Sequence, residues 1–108
     1  MSQRFNPRAQ GGGTPPSRAT ISKPTVTNGA AVVLLGLNAA RKGATIWNDG
    51  PVDLLISLGG TASATDYSLK IPGGASGSLY TLPSGYTGSV SGILAAAGSQ
   101  TVRVTEFT

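Results

Sequence analysis

The sequence has no cysteine and no histidine among its 108 residues, and only four acids: Asp49, Asp53, Asp66 and Glu106. Without cysteine there is no disulfide framework. With neither residue, no thiolate or imidazole metal site and no Ser-His-Asp or Cys-His nucleophile can be assembled. A paired-carboxylate site would have to come from the four acids. Asp49 reads as a turn residue and Asp66 as part of an alternating strand, so we expect no enzymatic activity and no cofactor. Charge of either sign is scarce: 11% of residues are charged, few for a soluble surface. Much of the exterior must then be Ser, Thr, Gly and Ala, which suits a protein packed against others. Long apolar runs are missing too. The longest, residues 30–35, falls far short of the roughly 20 residues that span a bilayer. No apolar stretch follows the first basic residues, so we expect no membrane segment and a chain made in a cytoplasm.

What charge there is lies unevenly. Residues 1–23 hold Arg4, Arg8, Arg18 and Lys23 with no acid, while Arg41, Lys42, Lys70 and Arg103 balance the four acids of residues 24–108. All of the net +4 therefore belongs to the first 23 residues. That stretch also carries a Gly11-Gly12-Gly13 run, Pro7, Pro15 and Pro16, and its only large apolar side chains besides Met1 are Phe5 and Ile21. Such a segment cannot offset the entropy of ordering. We read it as an extended basic arm, disordered or polyproline-like in isolation and ordered on binding. It could neutralise phosphates, lie in a protein groove with Phe5 and Ile21 as anchors and its arginines on carboxylates, or simply solubilise the chain. Docking on protein is the preferred reading, and nucleic acid is the lesser one.

Residues 24–108 show a period of two, with sixteen glycines and seven prolines in the whole chain as punctuation and no amphipathic helix. Residues 25–27 are a short strand before Asn28-Gly29, and residues 31–37 a strand buried on both faces. Residues 38–42 form a loop or a single helical turn. Asp49-Gly50 reads as a hairpin turn joining strands 43–48 and 52–58, with Pro51 opening the second. In that second strand Val52, Leu54, Ile56 and Leu58 face inward. In residues 66–71 Tyr67, Leu69 and Ile71 do so; Pro72-Gly73 then suits a type II turn. Strands over residues 76–82, 86–94 and 101–107 follow, the last with Val102 and Val104 inward and Arg103 outward. The pattern predicts an all-β protein: an antiparallel β-sandwich or small barrel of seven or eight short strands behind the arm. A body of about 85 residues is a marginal core on its own, so a homo-oligomer, a trimer or ring, is expected.

Three body residues are candidates for contact with partners. Trp47 would anchor an interface if Ile46 points inward, but burial of Trp47 in the core is the favoured alternative. Arg41 and Lys42 could meet carboxylate or phosphate; the plainer reading is a solvated loop pair. Tyr67, Tyr80 and Tyr86 read as packing residues rather than a base- or sugar-stacking platform.

A-R-K-G-A-T-I-W-N-D at residues 40–49, L-L-I-S-L-G at 54–59, G-Y-T-G-S-V-S-G-I at 85–93 and V-R-V-T-E-F-T at 102–108 resemble a small β-sandwich module of tailed-bacteriophage structural proteins. The resemblance covers residues 38–108 and leaves out the arm. The shared residues are mostly those of turns and strand ends, so no functional residue carries over. It implies a non-enzymatic virion component, either a head decoration (cement) protein or a tail, neck or baseplate part. The partner would be the major capsid protein or another virion subunit. Decoration is the reading we carry forward, with the arm crosslinking capsid subunits through Arg4, Phe5, Arg8, Arg18 and Ile21, and the body adding Arg41, Lys42 and Trp47.

Overall fold

Ten short strands carry the fold in the computed structural model, which describes residues 15–74 and 77–108. They are β1 (Ala19–Ser22), β2 (Thr25–Thr27), β3 (Val32–Leu35), β4 (Gly43–Asn48), β5 (Leu54–Leu58), β6 (Leu69–Ile71), β7 (Ser78–Thr81), β8 (Val90–Leu94), β9 (Ser99–Thr101) and β10 (Arg103–Phe107). Two four-stranded antiparallel sheets, ordered β1-β10-β4-β7 and β3-β8-β5-β6, face each other, and β2 and β9 make a separate two-stranded ribbon. The all-β sandwich read from the period of two is the fold observed.

Alternation supplies the core. Ala44, Ile46 and Val104 from the first sheet meet Leu34, Leu54, Ile56, Ile71, Val90 and Leu94 from the second. Ile46, Leu54 and Ile56 are fully buried, each contributing about 1.5–3 kcal/mol of hydrophobic stabilisation. Val26 and Val102 close the core beside the ribbon.

One ladder crosses the expected boundary between arm and body. Ala19 to Ser22 oppose Phe107 back to Val104, and Thr25 to Thr27 oppose Thr101 back to Ser99, with no slip between them. The break falls at Pro24, which has no N–H to give; its carbonyl still accepts from the Val102 N–H at 3.0 Å. Residues 19–22 are therefore an edge strand of the first sheet, added in the register that the ribbon sets.

The largest departure from expectation is at Asp49-Gly50. β4 and β5 do not pair. β4 lies between β10 and β7, and β5 lies between β8 and β6, so residues 49–53 cross from one sheet to the other. Gly50 does not adopt a positive φ, as a two-residue hairpin turn would require. Its small size serves a close approach instead: a Cβ there would overlap the side-chain amide of Gln100. The crossing is held by side-chain amides. Buried Asn48 donates from Nδ2 to the carbonyls of Val52 (3.0 Å) and Ile71 (2.9 Å), and its Oδ1 accepts from Gln100 Nε2 at 2.7 Å. Gln100 in turn donates to Val52 O at 3.0 Å and accepts from Val52 N at 3.1 Å. Strand β4, the ribbon and strand β6 thus meet at one buried polar knot.

Smaller expectations also shift. Val33 and Leu37 are exposed, so residues 31–37 are not buried on both faces, and β3 ends at Leu35. Tyr67 is exposed, and Asp66 belongs to a turn with Ser63 rather than to a strand. Gly73 has no positive φ, so Pro72-Gly73 is not the centre of a type II turn. Leu55 is buried on the far side of β5 from the main core, where we expected an outward residue.

Asn48→Asp replaces a donor by an isosteric acceptor and puts a charge in the knot. We expect it to lower the stability by about 2–4 kcal/mol in urea denaturation, with the slope unchanged. Asn48→Ala should cost a similar amount, whereas a surface change such as Asp66→Asn should leave the midpoint in place.

Candidate interaction surface

The two sheets finish differently on their outer faces. On the second sheet, Leu55 and Ile93 point outward, and the loop after β5 folds back over them, burying Ala62. Ser91 fixes that loop by accepting from the Ala62 N–H (2.8 Å) and donating to Gly60 O (2.9 Å). The centre of this face is covered by its own chain, while Val33 at its β3 edge stays exposed.

Among the described residues nothing covers the outer face of the first sheet. The registers place its side chains in rows. Ile21, Thr105, Thr45 and Thr81 form one row across β1, β10, β4 and β7. Arg103, Trp47 and Leu79 form the next. Ile21 is 68% exposed, Leu79 65% and Trp47 43%. Among the described residues the one ion pair on this face is Arg103 Nε with Asp49 Oδ2 at 3.4 Å, both half exposed. The result is a threonine-rich surface, nearly neutral, with Trp47 beside Leu79 and Ile21 at its edge.

Trp47 is therefore a surface residue, not the core residue the sequence favoured. Ile46, Ala44 and Asn48 take the inward positions of β4, which sends Trp47 and Thr45 out. The indole lies over Gly77, where any Cβ would overlap its ring nitrogen.

Arg41 goes the other way. We expected a solvated or partner-facing cation; it is 3% exposed. Its Nε donates to Glu106 Oε2 at 2.7 Å, and its Nη atoms donate to the carbonyls of Gly88 (2.7 Å), Tyr86 (3.3 Å) and Gly36. It sits in the connection from β3 to β4, where Ala40 N–H donates to Asn38 Oδ1 and Lys42 N–H to Phe107 O. A buried guanidinium with four acceptors clamps the end of the sandwich opposite the Asn48 knot. It is structural and not available to a partner. Lys42 beside it is half-buried.

Arg18 and Ile21 remain exposed, Arg18 just before β1 and Ile21 within it. Arg4, Phe5 and Arg8 lie outside the described residues. The structure thus brings Ile21 and Trp47 onto one face and removes Arg41 from it. Sequence reading missed Leu79, Thr45, Thr81, Thr105 and Arg103 as members of the face. Only the β4 and β10 registers join them, and no local motif marks those.

Asp49, Asp53 and Glu106 are each occupied by a separate cation, Arg103, Lys70 and Arg41. Among the described residues no group of three or more Asp and Glu converges to hold a metal ion, and no helix is long and apolar enough to cross a membrane. Comparison with family models, with curated proteins and with solved structures found no match.

Trp47 is the only tryptophan, so its fluorescence reports this face directly. We expect red-shifted emission that acrylamide quenches readily in the folded protein. Blue-shifted, protected emission would place the indole in the core. Arg41→Met should cost about 3–5 kcal/mol, because it leaves Glu106 and three carbonyls without their donor.

Proposed function

We propose that this protein is a non-enzymatic structural subunit that attaches to a larger protein assembly. The assembly is the particle of a tailed phage, with the protein as a capsid decoration subunit whose N-terminal arm and adjoining sheet join neighbouring capsid subunits. The observation that carries the attachment reading is the contrast between the two outer faces: one has its central Leu55 and Ile93 covered by its own loop, the other leaves its central Trp47 and neighbouring Leu79 exposed, with Ile21 at its edge. Adjacent exposed Trp47 and Leu79, with Ile21 across β10 from them, are the kind of apolar side chains that an interaction site presents. β1 supports the reading, because residues 19–22, near the end of the basic arm, form the edge of that same sheet. The phage assignment rests on the resemblance of residues 38–108 to virion β modules, and a tail, neck or baseplate position would use the same surface. The mechanism is additive: many weak contacts act together once the subunits are arrayed.

A second reading, binding of nucleic acid through the arm, is favoured by the concentration of the whole net charge of +4 in residues 1–23. It requires affinity that falls steeply with salt.

Two altered proteins test the main reading: one lacking residues 1–14, and one carrying Trp47→Glu with Leu79→Glu. Both should unfold near the wild-type midpoint and fail to co-sediment with capsids that lack the subunit. Normal incorporation of both would remove the proposal. Strong retention on duplex DNA at low salt, lost at high salt and with capsid binding unchanged, would replace it by the nucleic-acid reading.

A further inference from the structure

The outer edge of β1, unpaired among the described residues, has a chemistry that selects its occupant. Thr108 N–H donates to Arg18 O at 2.9 Å, which sets the phase of the β1-β10 ladder. Arg18, Thr20 and Ser22 then turn their backbone groups toward β10, and Ala19 and Ile21 turn theirs away. Among the described residues nothing pairs with that outer side. All four residues of β1 are exposed, and the strand contains neither proline nor charge, the usual guards of an edge. The guards stand just outside it: Arg18 before and Lys23 after. Among the described residues neither has an acidic partner.

This charge arrangement discriminates between occupants. Two copies of β1 paired antiparallel would bring Arg18 and Lys23 of both copies to the ends of the pair with no acid among them, so neither end gains a charge partner. No other strand of this protein carries acids at both ends: Asp49 and Asp53 each flank one end of a strand, and Glu106, the only acid within a strand, is committed to Arg41.

We propose that the β1 edge accepts an extended segment from a different protein, one with apolar or threonine residues at its centre and acidic residues at both ends. The segment joins the sheet as a further strand through the backbone groups of Ala19 and Ile21. Its acids meet Arg18 and Lys23, and its outward side chains continue the row that begins at Ile21. The proposal names the partner chemistry for the attachment surface described above and rests on that reading.

The test is an NMR titration of the full-length protein, up to millimolar concentrations, with a peptide of about eight residues, a common strand length. The peptide alternates valine and threonine and has glutamate at both ends; a second peptide has lysine at both ends. The amides of Ala19 and Ile21 should shift with the glutamate peptide, and the lysine peptide should bind at least about tenfold more weakly. Arg18→Glu combined with Lys23→Glu should reverse that preference. Ile21→Pro removes a donor that faces the free edge and none that faces β10, so it should abolish peptide shifts while the protein stays folded. Failure of both peptides to shift Ala19 and Ile21, equal binding of the two, or shifts of those amides with protein concentration alone would each overturn the inference. In the capsid assay, loss of binding on removal of residues 1–14 but normal binding by Ile21→Pro would overturn the edge inference and leave the attachment reading standing.

Discussion

The side-chain amide of Asn48 is the interaction on which the rest of this structure depends. It lies fully buried at the end of β4 and ties the crossing segment, the ribbon and β6 into one knot. A buried amide is worth keeping only if its hydrogen bonds are made. Here both Nδ2 donors have carbonyl partners, and Oδ1 accepts from Gln100 and, at 3.3 Å, from the Gly50 N–H. If those bonds formed elsewhere, β4 and β5 could lie side by side as a hairpin. With them in place β4 and β5 belong to opposite sheets, and β4 takes β10 and β7 as neighbours. Those neighbours bring Trp47 beside Leu79 and Arg103.

The surface follows from that topology. Ile46 and Asn48 must face inward, so Trp47 faces out, and the ladder through Pro24 adds β1 at the edge of the same sheet. The Arg41 clamp fixes the other end of β4 by joining Glu106 of β10 to the segment that carries Tyr86 and Gly88. Two buried polar groups, one at each end of β4, hold a central strand whose outer side is open. The functional reading lies in that outer side and in the edge next to it. The polar groups, Asn48 and Arg41, are buried and position them.

Much of the fold was legible in the residues. The period of two gave strands, and Val102-Arg103-Val104 alternates in, out, in as its pattern implies. Leu54 and Ile56 face the core as read. The crossing at Asp49-Gly50 was not legible, because glycine serves a positive φ and a close approach equally well, and the Gln100 amide that fills the space is 50 residues distant in the chain. Arg41 was misread for a related reason. A cation in a loop looks solvated until the carbonyls of Gly36, Tyr86 and Gly88 converge on it, and nothing local announces them. The uncovered face was half legible. Ile21 and Trp47 were candidates from their type, but their shared side of one sheet depends on registers that only the folded chain defines.

The central claim is that β4 and β5 belong to different sheets and that this turns Trp47 outward between β10 and β7. Interstrand proton contacts measured by NMR test it most directly. The account predicts cross-strand contacts of Trp47 with Arg103 and with Leu79, and none between backbone protons of β4 and β5. Strong backbone contacts linking β4 to β5 across residues 49–53 would make the segment a hairpin and contradict the account.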